Sequence, residues 1–113
     1  MDTLTHYRTL IKDILTTYVT LAHQRPAPDI EPLLVFDDEH GNYLWLTVGW
    51  VEQRRVHGIT VHVRLRAGKI WIEQDWTEEG IATDLVRAGI SRDQIVLAFQ
   101  PADLRHLTEF AGA

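Results

Sequence analysis

The chain contains no cysteine, and this absence excludes several kinds of chemistry. Disulfides, thiolate nucleophiles and zinc sites built on cysteine are all ruled out. No apolar run approaches the roughly 20 residues that a membrane-spanning helix needs. The opening residues, M-D-T-L-T-H-Y, lack the basic and apolar regions of a secretion signal. We therefore expect a cytoplasmic protein with no membrane span.

An excess of basic residues is also missing. The 113 residues include 11 Lys and Arg against 16 Asp and Glu, which gives a formal net charge of −5. A protein that binds duplex DNA by itself usually carries a basic surface, because its affinity rises with the number of phosphates it neutralises. The charge therefore argues against tight DNA binding by this chain alone. It favours a basic protein partner, since complementary charge speeds encounter.

The composition that is present is that of an ordinary globular protein. Hydrophobic residues make up 45% of the chain and charged residues 24%. A chain of this length forms one domain with a single core, so we assign residues 1–113 to one domain.

The first segment has the pattern of an amphipathic helix. Apolar residues recur at steps of three and four from residue 4 to residue 21. Asp2 or Thr3 is expected to cap its start, because a short oxygen side chain accepts from the free amides there. Pro26 and Pro28 are expected to end it within a linker at residues 24–30.

Short apolar segments bounded by turn residues predict strands at residues 33–36, 43–51, 59–66 and 69–75. The short connections between the last three favour an antiparallel meander. Bulky residues on both faces of the second strand predict that it is central and covered on each side. Strict alternation in the third strand predicts that Ile59 and Val61 face one way and His62 the other.

The C-terminal third is predicted to be mainly helical. Thr77 is the expected N-cap of a helix, with Glu78 and Glu79 opposing the helix dipole in its first turn. Gly89 is the expected left-handed residue after the helix end.

A short buried strand at residues 95–99 follows a single turn, and Pro101 is expected to start a last short helix ending at Leu107. The complete prediction is an α+β domain with a long N-terminal helix and an antiparallel meander of four to five strands. A C-terminal helix and a short terminal helix pack on the sheet.

A cluster of basic residues follows the second predicted strand. Arg54, Arg55 and His57 precede Gly58 on the connection between two strands. Two guanidiniums and an imidazole can hold a phosphate or the carboxylates of a partner, and glycine allows close backbone approach. The alternative is a solvated hairpin tip in which glycine supplies a positive φ angle, and this reading is the commoner one.

Three carboxylates stand at a predicted strand-to-helix junction. Asp75, Glu78 and Glu79 can divide acid and base roles or hold a magnesium ion. Helix capping and dipole compensation account for all three without any substrate, and we favour that reading.

The histidines and the remaining arginines offer two further readings. His57 and His62 are five positions apart, so on one continuous strand they point to opposite faces and cannot share a metal. We predict no metal site and no cofactor. Arg64 and Arg66 share one strand face with His62, either as contacts to nucleic acid or as a charged outer face that keeps a sheet soluble.

Four tryptophans lie in or beside the predicted strands. They either pack the core and the sheet faces or, where exposed together, anchor a partner. Parity places Trp45 and Trp50 on opposite faces of their strand. The other two are Trp71 and Trp76.

Two long patterns in the chain resemble the XisI-like family, also called the fdxN element excision controlling factor proteins, which are found chiefly in cyanobacteria. The patterns are V-G-W-x-x-x-R-R-V-H-G at 48–58 and K-I-W-I-x-x-D-x-T-E-E-G-I-A at 69–82. The resemblance extends over almost the whole chain, through the opening helix, Ala88-Gly89-Ile90, the segment at 95–99 and the tail at 108–111. Trp76 and Ala102 depart from the family pattern.

The resemblance implies a role with XisH-like proteins, which look like restriction-endonuclease-type domains, in controlling the excision of a DNA element by a site-specific recombinase. It supplies no catalytic residues. We therefore expect a non-enzymatic accessory protein that binds such a partner, and a homodimer is plausible. The expected partner contacts are Trp50, Arg54, Arg55, His57, Gly58, Asp75, Trp76, Glu78 and Glu79.

Two alternatives remain open from the sequence. The first is a recombination directionality factor that contacts DNA directly through Arg54, Arg55, Arg64 and Arg66. The second is a metal-dependent hydrolase built around His57 and the acids at 75 and 78.

Overall fold

The computed structural model of the chain describes residues 2–25 and 29–113. It confirms the α+β prediction. The elements in chain order are α1 (Thr3–His23), β1 (Ile30–Asp37), β2 (Asn42–Val51), β3 (Arg54–Arg66), β4 (Lys69–Asp75), α2 (Ile81–Arg87), a 3-10 turn (Arg92–Gln94), β5 (Ile95–Leu97) and a terminal 3-10 segment (Ala102–Leu107). Among the described residues, no helix is long and apolar enough to cross a membrane.

Helix α1 forms as its local signals predict. The Oδ1 atom of Asp2 accepts a hydrogen bond from the Thr5 N–H at 2.8 Å, so Asp2 is the N-cap. This contact also holds the pKa of the Asp2 carboxyl below its ordinary value. Residues at steps of four enter the core: Tyr7, Ile11, Leu15 and Val19. Pro26 and Pro28, predicted to end the helix, lie outside the described residues.

The five strands form one sheet in the order β1-β2-β3-β4-β5. Strands β1 to β4 pair antiparallel, as the predicted meander requires. Strand β5 pairs with β4 in parallel, because α2 and a turn carry the chain back before it starts. The sheet is therefore mixed, and β5 ends at Leu97, two residues before the predicted end.

One face of the sheet, here called the inner face, packs on α1 and α2. The side chains of Tyr43, Val61, Val63, Ile70, Ile72 and Ile95 are fully buried there. Helix α2 ends as predicted at Gly89, which has a φ of +100°. The Gly89 N–H donates to the Val86 carbonyl and the Ile90 N–H to the Leu85 carbonyl, both at 3.0 Å. This paired arrangement is a Schellman motif.

The opposite face, here called the outer face, is covered over only part of its width. At β4 and β5 the terminal 3-10 segment covers it, and Arg105 stacks 5.6 Å from the ring of Trp71. Trp71 is 8% exposed, and its neighbour Val96 is fully buried. Along β2 no helix of the described residues covers this face, so the prediction of a second strand covered on both sides is wrong. Pro101 precedes the terminal segment as its N-cap, and that segment is a 3-10 helix.

A β-bulge changes which side chains of β3 share a face. Trp45 pairs with Val61, but the next residue of β2, Leu46, pairs with Ile59. The extra residue, Thr60, breaks the alternation of β3. Ile59 therefore lies on the outer face, where it is 37% exposed, and the prediction that it joins Val61 is wrong.

Candidate functional site

The β2–β3 hairpin closes at Glu52 and Gln53, whose φ angles are +48° and +69°. Two successive positive φ angles form a type I′ turn, the turn that suits the twist of antiparallel strands. The basic cluster that starts at Arg54 therefore lies within β3, so its predicted place on the connection is wrong. Gly58 has no positive φ, and a Cβ at this position would meet nothing within 4 Å.

Trp50 and Arg55 form an exposed pair on the outer face near this turn. They are register partners, and the Arg55 guanidinium lies 5.5 Å from the Trp50 ring centroid. The same guanidinium donates to the Gly49 carbonyl at 3.3 Å, which fixes its position. Trp50 remains 53% exposed. Arg54 pairs with Val51 and is therefore directed to the other side of the hairpin.

The bulge brings five basic or imidazole side chains into one row on the outer face of β3: Arg55, His57, His62, Arg64 and Arg66. Within the row, an Arg64 Nη1 atom lies 3.5 Å from a Glu73 carboxylate oxygen. Arg66 stacks 4.8 Å from the Trp71 ring. Arg64 and Arg66, two of the four arginines predicted to contact DNA, therefore already have partners within the protein.

His57 and His62 share a face, so the predicted opposition of their side chains is wrong. They pair with Val48 and Leu44, which are about 13 Å apart along β2, so they do not meet at a metal. The pKa of His62 is lowered mainly by burial of its ring. Within residues 2–25 and 29–113, no group of three or more His, Cys, Asp or Glu side chains is arranged to hold a metal ion.

Asp75 organises the connection from β4 to α2. Its Oδ1 atom accepts from the Thr77 backbone N–H at 2.8 Å and from the Thr77 hydroxyl at 2.6 Å. Its Oδ2 atom accepts from the N–H of Ile81, the first residue of α2, at 2.6 Å. Asp75 therefore provides the acceptor for the first backbone N–H of α2, although it lies outside the helix. The prediction of Thr77 as N-cap is wrong, because that position belongs to Gly80.

The rest of this connection is exposed. Trp76 is 76% exposed, while its backbone N–H donates to the Thr60 carbonyl at 3.0 Å. Glu78 and Glu79 precede α2, so their predicted place in its first turn is wrong. Glu79 pairs with Arg87 at 2.9 Å on the surface.

The predicted site residues fall into two separate groups. Asp75 pairs with Val61, so it lies four residues, or about 13 Å, along β3 from His57. The residues of the predicted hydrolase site are therefore not brought together. The exposed tryptophans are also apart, because Trp50 pairs with Arg55 whereas Trp76 is bonded to residue 60. Trp45, by contrast, stacks on Tyr18 of α1 on the inner face, as its parity predicts.

Two tyrosine–aspartate pairs in the structure were not predicted from the sequence. The Tyr18 hydroxyl donates to Asp84 at 2.6 Å across a groove of ≈ 520 Å³ between α1 and α2. Burial and the neighbouring carboxylate raise the pKa of Tyr18. The Tyr43 hydroxyl donates to Asp38 at 3.0 Å, and burial with this carboxylate raises the pKa of Tyr43 to about 12. Tyr18 and Asp84 are 66 positions apart, so no local signal links them.

These features define an α+β protein in which one long helix covers a mixed five-stranded sheet and two exposed tryptophans stand on separate surfaces. The family model described as XisI protein matches residues 1–112, and the chain belongs to the XisI family.

Two solved structures from Anabaena variabilis share the fold. A XisI-like protein is 33% identical, with a TM-score of 0.88 over 97% of this chain and 99% of its own. The fdxN element excision controlling factor XisI is 40% identical, with a TM-score of 0.85 over 99% of this chain and 100% of its own. Among curated proteins, no significant match to the chain is found.

Proposed function

We propose that this protein is a non-enzymatic accessory factor that takes part in controlling the excision of a DNA element, and that it acts by binding an XisH-like partner with an endonuclease-like fold. The first support is membership of the XisI family. The second is the 40% identity over the full chain to a protein named as an excision controlling factor.

The observation that carries the proposed contact is the exposure of Trp76 on a fixed connection. Trp76 is 76% exposed, yet its backbone N–H donates to the Thr60 carbonyl. The residues on either side are held by the three hydrogen bonds to Asp75. Because its backbone is already held in place, the connection loses little further backbone conformational entropy when Trp76 is bound. Tryptophan is also enriched among the residues that dominate binding energy at interfaces.

The charge around Trp76 indicates the chemistry of the partner. Glu78 is exposed beside it, and Glu79 pairs only at the surface with Arg87. The whole chain carries a formal charge of −5. Such a surface attracts a basic region on the other protein and increases the rate of encounter at low salt. The proposed contact is therefore an aromatic anchor flanked by carboxylates.

Co-expression with an XisH-like protein, followed by size-exclusion chromatography at low salt, tests this proposal. The wild-type chain should elute in a complex. Trp76→Ala should weaken the complex by roughly 30-fold or more, the effect of losing a dominant interface residue. Trp50→Ala is the matched control, because it removes an exposed tryptophan from a different surface. Absence of a complex with the wild-type chain, or equal binding by the Trp76→Ala variant, would contradict the proposal.

Direct contact with DNA is a second candidate. The observation in its favour is the row of basic and imidazole side chains on β3, although Arg64 and Arg66 have partners within the protein. Binding through these groups should weaken steeply as salt is added, because neutralised phosphates release counterions. A mobility-shift titration with the ends of the excised element measures this dependence. A flat salt response would remove this candidate.

A further inference from the structure

The outer face of β1, β2 and β3 carries an apolar surface that nothing within the described chain covers. The terminal 3-10 segment covers only β4 and β5, where Trp71 and Val96 are buried. Across the uncovered strands, register pairs place apolar side chains side by side on the outer face: Leu33, Val35, Leu44, Leu46, Val48 and Ile59. We call this surface the open face. A contiguous apolar patch on a sheet is a common mark of an interaction surface.

Acidic side chains border the open face along β1, and basic or imidazole side chains border it along β3. On β1, the outer row is Glu31, Leu33, Val35 and Asp37, so an acid stands at each end. On β3, the outer row is Arg55, His57, Ile59, His62 and Arg64, so basic or imidazole groups stand at each end. Strand β2 separates the two rows. The open face is therefore acidic along one edge, apolar along its middle and basic along the other edge.

We propose that the open face binds a second copy of this chain, with the two-fold axis parallel to the strands and lying over β2. Rotation about that axis stacks β2 on β2 and sets β1 of each copy against β3 of the other. Each apolar centre then faces an apolar centre. Glu31 comes level with the partner's His57, because both are aligned with Val48 in the sheet register. Asp37 comes level with the partner's Arg64, because both are aligned with Asn42.

The same charges exclude the other face-to-face two-fold arrangement. An axis perpendicular to the strands would stack β1 on β1 in opposite directions, which brings Glu31 against the partner's Asp37. It would also bring the basic row of β3 against itself. Like charges placed opposite each other destabilise an interface, whereas a self-complementary patch is what a two-fold dimer requires. The charge pattern therefore selects the parallel axis.

The size of the open face sets the expected strength of the dimer. Three strands about 4.8 Å apart, over nine residues at about 3.3 Å each, give a projected area of roughly 400 Å² per copy. Two such faces total roughly 800 Å², which is below the roughly 1,200 Å² of standard specific interfaces and in the range of weak, transient complexes. The dimer should therefore form at micromolar concentration and depend on concentration.

Sedimentation velocity of the full chain from about 1 to about 300 μM, a range that brackets a micromolar dissociation constant, tests the proposal. The wild-type chain should shift from monomer to dimer. Val35→Lys places a charge among the apolar side chains of the open face, level with the partner's His62 because both are aligned with Leu44, and should leave a monomer. Leu107→Lys is the control, because this side chain is 73% exposed on the terminal segment, outside the open face. A wild-type chain that stays monomeric throughout, including one that binds DNA through β3, would overturn the proposal, as would an unchanged dimer in Val35→Lys.

Charge reversal tests the axis. Glu31→Lys should weaken the dimer by about 10-fold, because a lysine then faces the basic row of the partner. Adding His57→Glu to that variant should restore it, since a carboxylate then faces the introduced lysine. A dimer strengthened by Glu31→Lys alone would indicate that residue 31 faces the partner's Asp37, and the parallel axis would be wrong. These variants leave Trp76 untouched, so the dimer and the proposed XisH-like contact can fail independently.

Discussion

Asp75→Asn is the substitution that most sharply separates a structural role for the acidic connection from a catalytic one. Both carboxylate oxygens are occupied, Oδ1 by the two Thr77 donors and Oδ2 by the Ile81 N–H. Asparagine keeps the size of the side chain but offers only one acceptor oxygen. Its amide group then faces either the Thr77 N–H or the Ile81 N–H, so one of these backbone donors loses its partner.

The expected cost is about 3 kcal/mol of the free energy of unfolding, since a hydrogen bond to a charged group contributes roughly 1.5–3 kcal/mol. An N–H left without a partner adds a cost of about 1–3 kcal/mol, which the partial exposure of the site reduces. For a chain of this size, about 3 kcal/mol corresponds to a fall in Tm of roughly 10 °C.

Urea denaturation followed by tryptophan fluorescence measures this change, with a thermal scan as a second readout. Glu78→Gln is the matched control, because Glu78 is exposed in the same connection, and its stability should stay within about 0.5 kcal/mol of the wild-type chain. An Asp75→Asn variant as stable as the wild-type chain would refute the capping argument. Asp75 would then again be a candidate catalytic residue.

The remaining predictions concern one backbone position and two titrating groups. Gly49→Ala should destabilise the fold by more than about 3 kcal/mol, because its Cβ would lie 2.0 Å from the Asp29 carbonyl oxygen, whereas Gly58→Ala should be nearly neutral in the same denaturation assay. The raised pKa of Tyr43, about 12 in the fold against about 10 in the unfolded chain, gives stability that is complete below pH 10 and lost as pH rises towards 12; Tyr43→Phe should flatten that dependence in alkaline titrations. The lowered pKa of His62 has the opposite consequence, since the unfolded chain binds the proton more readily, so stability should fall as pH drops below about 6.5 and His62→Gln should lessen the fall.

Local signals explain why much of the fold was predictable. Helix α1 repeats its apolar residues over five turns and carries its cap at Asp2, so its pattern needs no tertiary information. Strand β4 was predicted with its observed bounds, because the turn before it and its β-branched and aromatic residues are both local signals. Gly89 ends α2 because a positive φ is least costly at glycine.

The predictions that failed concern features that strand pairing or tertiary contacts determine. The bulge at Thr60 depends on how β3 aligns with β2, and it moved Ile59 and His57 to the outer face. Asp75 caps α2 from six residues away, so the nearer Thr77 was the wrong choice. The return of the chain through α2 sets the direction of β5, and no periodicity in the sequence reports it. The residues of both groups of candidate contacts could be identified from the sequence. Only the sheet register shows that the two groups lie apart.

The central claim, that this chain works by contact through Trp76, is tested most directly by calorimetric titration of a purified XisH-like protein into it without DNA. The account predicts saturable binding that weakens as salt is added and is lost in Trp76→Ala but retained in Trp50→Ala. No heat of binding at any salt concentration, or turnover of a substrate by this chain alone, would contradict it.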